Sequence, residues 1–374
     1  KFMGGLLSDY ISPRVLFATG LFCSGLLTLI FPLFNNSMAW TGLWFIMGLV
    51  QGCGWPACAK LLREWCSKAE FGTWWSTIST SMNVAGGVWP FAATYLTINY
   101  NWATSMYIPG ILSLCFTGVC LLLIKNRPQD VGLEPSDSEE DRPKNTTDQS
   151  SDDSTTYSWT SILTSPFIWL LCINYSIIMM VRNSIMDWGQ LYLIEELNFS
   201  RYIASSFTSC LETGGLIGSL LAGLLADKLV KASAGKDIVY SPRMLVVLVE
   251  VAATTIGLYC LVFIIDANSS QVAIGAVGVL LGVCLYGLIS LYGVMAVESV
   301  PTAISGRSHA VVALAANVGG VCAGLPLSYI AKLYSWGGAF SLLQLCVAVV
   351  TALNLLTFRI NCRVKPSSAH IKED

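Results

Sequence analysis

Charge is what this sequence has least of. Only 12% of its 374 residues are Asp, Glu, Lys or Arg, and there are two histidines. Soluble domains carry about a quarter charged residues. So little charge cannot solvate a water-facing surface of this size, which excludes an ordinary soluble enzyme. A hydrophobic content of 54% excludes a disordered chain, and a net charge of −2 argues against a nucleic-acid partner. The thirteen cysteines show no metal-ligand spacing. Most sit inside apolar runs, as Cys23, Cys115, Cys172, Cys260, Cys284 and Cys346 do, and read as buried free thiols. There is no G-x4-GK[ST] phosphate loop and no nucleophile–base pair. No catalytic residue, metal or cofactor is therefore expected, and the chain is not read as an enzyme.

Long apolar runs are what it has most of. A helix needs roughly 20 apolar residues to cross a bilayer. Ten runs qualify, at 15–34, 40–62, 74–98, 103–124, 166–194, 203–225, 244–265, 272–297, 308–330 and 339–358, and Lys1–Ser8 reads as the tail of another. None alternates with period two, so these are helices rather than barrel strands. The expected fold is an all-α, multi-pass membrane protein. Between the fourth and fifth runs lies 125–165, dense in Asp, Glu, Ser, Thr and Pro. This stretch is expected to be a disordered acidic linker separating a first half, 1–124, from a second half with its tail, 166–374.

Seventeen of the twenty-one Lys and Arg fall on one side of the alternating loops, which assigns the linker and the C-terminus to the cytoplasm. Sequons at Asn35, Asn198 and Asn268 fall on the opposite side, while the one at Asn145 is cytoplasmic.

The halves repeat in parallel. Gly5–Asp9 (GLLSD) recurs as Gly223–Asp227 (GLLAD), 218 positions later. At an offset of 234, Glu64 meets Glu298, Asn83 meets Asn317, Gly86 meets Gly320 and Trp102 meets Trp336. Parallel repeats of this kind define transporters that hold substrate between two halves. Two apolar runs precede GLLAD but only four residues precede GLLSD. The symmetry thus implies a longer protein, with a whole helix and most of a second, about fifty residues, ahead of Lys1.

Ionisable groups inside spans cost ~3 kcal/mol at the bilayer centre unless paired or hydrated. Arg182 is the sharpest case: either an anion ligand, its guanidinium forking onto phosphate oxygens, or half of a structural ion pair. Asp187 lies some 140° around an ideal helix from it and is expected to pair across helices. Glu212 is a second acidic partner. Both acids read as gating or charge-balancing groups. Asp9 with Arg14, and Asp227 with Lys228 and Arg243, sit at helix ends where they can pair with each other or with helix termini. Lys60 either snorkels or lines a cavity mouth. Asn83 and Asn317 precede glycine pairs and bond either substrate hydroxyls or a neighbouring helix. His309 binds phosphate or packs. Glu250 has no role assigned.

GLLSD and GLLAD resemble the motif of the major facilitator superfamily, whose fold is two six-helix bundles. Within it, QGCGWPACAK (Gln51–Lys60), NRPQDVGL (Asn126–Leu133) and R-x4-DWGQ (Arg182–Gln190) resemble the organophosphate:phosphate antiporters. FGTWWSTISTSMNVAGG (Phe71–Gly87), LETGGLIGS (Leu211–Ser219) and SHAVVALAANVGGVCAGLP (Ser308–Pro326) are most similar to the glucose-6-phosphate translocases of the endoplasmic reticulum. The resemblance implies exchange of glucose 6-phosphate for inorganic phosphate by alternating access, in the endoplasmic reticulum membrane. It also implies functional coupling to a lumenal glucose-6-phosphatase.

Phosphate in this family is held by one basic residue on the first helix of each half. Arg182 matches the second, and the first would lie ahead of Lys1. Met82 stands where bacterial relatives carry a histidine, so that role does not transfer. The terminal IKED lacks one lysine of a dilysine retrieval signal. Two other readings stand beside this one: an antiporter for another organophosphate such as glycerol 3-phosphate, and a non-transporting sensor of the same fold.

Overall fold

The computed structural model describes residues 11–52, 54–66, 71–132, 159–233, 240–300 and 305–362. Its described residues are helical, with no strand among them. The helices are α1 (Pro13–Ile30), α2 (Ser37–Gln51), α3 (Gly54–Trp65), α4 (Phe71–Asn99), α5 (Thr104–Leu123), α6 (Trp159–Leu163) and α7 (Pro166–Glu195). There follow α8 (Arg201–Ala232), α9 (Met244–Tyr259), α10 (Gln271–Glu298), α11 (Ser305–Ala323), α12 (Leu325–Leu333) and α13 (Trp336–Thr357).

The helix starts follow local chemistry. Proline opens α1 and α7, where its missing N–H costs no bond. Asn36, Ser200, Ser270 and Ser335 cap α2, α8, α10 and α13, each side-chain oxygen accepting a first-turn N–H. Ser200 and Ser270 are also the hydroxyl residues of the sequons at Asn198 and Asn268. Asn198 itself is left-handed, with φ 59°.

Among the described residues, eight segments are long and apolar enough to cross a membrane. This corrects the count of ten from the sequence. The run expected at 40–62 is two helices, α2 and α3, meeting near Gly52. The run expected at 74–98 is the single 29-residue helix α4, which carries Pro90 in its interior and is absent from the eight. The ends of the expected linker are also ordered. Pro128–Val131 form a 3-10 turn closed by Gly132 at φ 77°, and α6 seats a fully buried Ile162. Residues 133–158 lie outside the described residues, as does Asp9.

The chain divides into two compact units, 1–82 with 92–145 and 83–91 with 146–374. The middle of α4, Asn83–Phe91, thus groups with the second unit rather than with the expected first half.

In the first unit α1 packs chiefly on α5. Arg14 donates to the carbonyl of Leu121 in the last turn of α5, a cation at a helix C-terminus, and its own N–H bonds Asn126 Oδ1 at 3.1 Å. Arg127 reaches Glu64 at 3.8 Å.

In the second unit the closest helix pair is α8 with α10. A Cβ on Gly218 would fall inside the backbone of Val283, and one on Gly282 inside that of Leu211. Only glycine allows the helix backbones to touch there, as small residues do in membrane bundles. Phe167, Tyr192, Phe207, Tyr292 and Phe340 fill the interior, with Tyr192 stacked on Phe340 at 4.5 Å. Leu224, Val249, Ile256, Val349 and Leu356 point outward and exposed, as a lipid-facing surface requires.

Candidate anion-binding site

Arg182 lies near the middle of α7, with its side chain 26% exposed. Its helix is held in register by the motif that follows it. Trp188 donates to the carbonyl of Ala323 at 2.9 Å and lies against Trp336, and Gln190 donates to Thr208 Oγ1 at 3.1 Å. R-x4-DWGQ therefore does mechanical work: it ties α7 to α11, α13 and α8 around the arginine.

The guanidinium is fully engaged. Its Nη2 donates to Tyr286 Oη on α10 at 2.6 Å and to Glu212 Oε1 on α8 at 3.3 Å. Its Nε also reaches the same phenol, at 3.2 Å, and Nη1 donates to Asn183 Oδ1 at 3.1 Å. Tyr286 completes the triangle by donating to Glu212 Oε1 at 2.5 Å. Glu212 is almost wholly buried, 3% exposed. Asp187 is exposed but close enough for its charge to act on Arg182.

The glycine pairs after Asn83 and Asn317 flank this cluster. A Cβ on Gly86 would stand 2.7 Å from Glu212 Cδ, and one on Gly320 would stand 2.9 Å from Asn183 Nδ2. Repeat-related glycines thus make room for Glu212 and Asn183, two of the three side chains that hold Arg182. A cavity of about 470 Å³ in the second unit is lined by Asn83, Ser206, Ser209, Glu212 and Thr213. Ser209 Oγ is buried there without a hydrogen-bond partner. A larger cavity of about 770 Å³ lies within the first unit, but none of its described lining residues is basic.

The other expected site residues are scattered. Asn317 and His309, both on α11, are exposed, and neither joins the Arg182 cluster. His309 lies near Gly293 instead. Lys60 is on α3 in the first unit, where it interacts with a neighbouring group. Asp227 pairs with Arg243 at 2.8 Å, and Arg243 also grips Glu298 with two bonds of 2.8 Å. These bonds, Glu298 foremost, hold the Arg243 guanidinium above its usual pKa. The repeat pairs Glu298 with Glu64, and each of the two binds an arginine.

Tyr286 and Asn183 are the partners that sequence reasoning missed. A tyrosine in an apolar run reads as packing, and nothing in the spacing separates Tyr286 from Tyr292. Among the described residues no cluster of His, Cys, Asp or Glu could hold a metal ion.

The model of the Major Facilitator Superfamily matches residues 1–321. The chain is 30% identical to a probable hexose phosphate transport protein of Chlamydia pneumoniae, over 96% of this chain and 79% of that protein. It is likewise 30% identical to the membrane sensor protein UhpC of Salmonella typhimurium, with the same coverage. The mouse glucose-6-phosphate exchanger SLC37A2 is 24% identical over 60% of this chain and 51% of its own length. Among solved structures, the inward-facing, unoccupied form of a bacterial homolog of the human lysosomal transporter Spinster superposes with a TM-score of 0.68. It covers 97% of this chain and 87% of that one at 13% identity, a likeness of fold alone.

This is an all-helical multi-pass membrane protein, and the chain belongs to the major facilitator superfamily. Within the superfamily it groups with the organophosphate transporters.

Proposed function

We propose that this protein exchanges glucose 6-phosphate for inorganic phosphate across the endoplasmic reticulum membrane by alternating access. The observation that carries the reading is Arg182, a span arginine whose partners form a displaceable set: one carboxylate, one phenol and one amide. A phosphate group offers the guanidinium two oxygens in the geometry it prefers. It also gives the Tyr286 hydroxyl an acceptor in place of Glu212.

The cluster supports a mechanism of competition rather than repulsion. An empty site holding unpaired positive charge would repel itself in low dielectric. Arg182 is instead already neutralised by Glu212, so a phosphate must displace an internal anion. With phosphate bound, Glu212 is freed from its cation. With phosphate gone, the pair re-forms and removes the charge that would otherwise be stranded in low dielectric. The re-formed pair, with Tyr286, also ties α7 to α8 and α10 and holds the empty site in one state, so return requires a fresh anion, which favours exchange over leak. Asn83, which lines the same cavity as Glu212, would meet the sugar hydroxyls. Asp227 and Arg243 would act at the cytoplasmic ends of the helices.

The test is counterflow in proteoliposomes preloaded with inorganic phosphate, using the full-length protein. Uptake of labelled glucose 6-phosphate, abolished in R182A, is the expected result. Glycerol 3-phosphate uptake without glucose 6-phosphate uptake would sink the substrate assignment. The resemblance to UhpC favours one further reading, a sensor. Saturable glucose 6-phosphate binding with no flux would select it.

A further inference from the structure

Glu250 takes no part in the Arg182 cluster, yet it is a carboxyl in the middle of a membrane bundle. It lies on α9, 9% exposed, and its Oε2 is buried with no hydrogen-bond partner. The bundle makes a slot for it at Gly287 of α10. A Cβ there would stand 2.8 Å from both Cδ and Oε2 and closer still to Oε1, so any other residue would occupy the carboxyl's place. Tyr292, also on α10 and 0% exposed, has a hydroxyl with no partner, and its position is electrostatically coupled to Glu250.

Among the described residues no cation compensates the carboxyl. The titratable groups facing it are Cys284 and Tyr292, both on α10. From α13, contact with α9 runs through the Thr255–Thr351 hydroxyl pair at 2.8 Å. Arg243, two turns back on α9, is already held by Asp227 of α8 and Glu298 of α10. A carboxylate left uncompensated in such a setting is costly, whereas a neutral carboxylic acid is tolerated.

The slot is also adjacent to the anion site. Gly287 directly follows Tyr286, whose hydroxyl bonds Arg182. Tyr292 packs against Tyr175, ring centroids 5.7 Å apart, and Tyr175 precedes Arg182 by two turns on the same face of α7. Any shift of α10 that frees Tyr286 from Arg182 also moves the glycine on which the Glu250 carboxyl rests.

We propose that Glu250 is a proton-binding site, loaded as the carboxylic acid in the packed state and releasing its proton when anion binding moves α10, so that anion exchange is proton-linked. The step is a simple protonation, a carboxylate taking one proton from water to give the acid and returning it to water. This rests on the reading of Arg182 as the anion ligand.

Two measurements on the full-length protein test it. In detergent, infrared difference spectra should show a carboxylic-acid C=O band that titrates with pH, shifts when inorganic phosphate is added and is lost in E250Q. In proteoliposomes, the ratio of E250Q to wild-type phosphate exchange should change with pH, since titration of phosphate itself cancels in that ratio. A Glu250 that gives no acid band, or a band indifferent to phosphate together with a pH-independent ratio, overturns the proposal. If E250Q does not fold, G287A keeps the carboxyl but crowds it, and the band should shift. Absence of phosphate exchange with a phosphate-sensitive band would defeat the transport reading and leave the proton site standing.

Discussion

Arg182 and Glu212 stand 3.3 Å apart on neighbouring helices, and the hydroxyl of Tyr286 bonds to both. The cation and its internal anion thus share a third group that can serve either as donor or as acceptor. On the proposed mechanism an entering phosphate breaks this arrangement, and its members should respond differently to substitution.

Y286F removes a hydroxyl bonded to two charged groups, each such bond being worth about 1.5–3 kcal/mol. Phosphate exchange should fall about tenfold or more. R182K keeps the charge but loses the fork and should fall further. E212Q should act in the opposite sense on affinity, lowering the half-saturating phosphate concentration while admitting phosphate leak without counter-substrate. Initial rates of labelled phosphate flux, with and without internal phosphate, separate these outcomes. An E212Q protein as tightly coupled as wild type would count against the competition mechanism.

Arg243 is buried, while its partners Asp227 and Glu298 are about half exposed, 58% and 48%. Loss of one carboxylate, as in D227N, should therefore change stability by no more than about 1 kcal/mol. R243A leaves both carboxylates without their shared cation and should lower the melting temperature more than either single neutralisation. The bonds raise the arginine's folded pKa above its unfolded value. Their contribution is thus complete below the unfolded pKa and disappears only as pH climbs through the folded one. Both lie far above about pH 9. The melting difference between R243A and wild type should therefore stay constant from about pH 7 to 9, as scanning fluorimetry can show.

Gly218 and Gly282 let α8 and α10 meet backbone to backbone. G218V and G282V should abolish recovery of monodisperse protein. G218A should cost about 1–3 kcal/mol, the usual penalty for overpacking. Size-exclusion profiles of fluorescent fusions give the readout. A G282V protein with a wild-type profile would contradict the contact.

The sequons at Asn198 and Asn268 end in Ser200 and Ser270, the residues that cap α8 and α10. Their hydroxyls are held by first-turn amides at the mouth of apolar helices. N198Q and N268Q should therefore migrate as wild type does, whatever N-glycosidase does at Asn35.

Much of the site was legible in the sequence because charge in an apolar run is conspicuous. Arg182 and Glu212 stand out for that reason alone, and Asp227 stands out through the GLLSD/GLLAD repeat. Tyr286 and Asn183 were hidden because tyrosine and asparagine are common in spans, and periodicity does not report which face they occupy. His309 and Asn317 are equally conspicuous as polar residues in an apolar run, yet they stand exposed on α11 and are not among the groups bonded to the arginine.

The shortage of charge by itself determined that this is a membrane protein, and the length of its apolar runs determined that it is helical. The GLLSD/GLLAD repeat and the long motifs determined its family. Those properties are sums and spacings along one chain. Only the tertiary structure decided that Glu212 rather than Asp187 carries the direct bond to Arg182, that a tyrosine on α10 completes the triangle, and that Gly287 holds a place for the carboxyl of Glu250. Each of these depends on side chains from helices dozens of residues apart meeting at hydrogen-bond distance. Such meetings are set by where glycine lets two backbones touch.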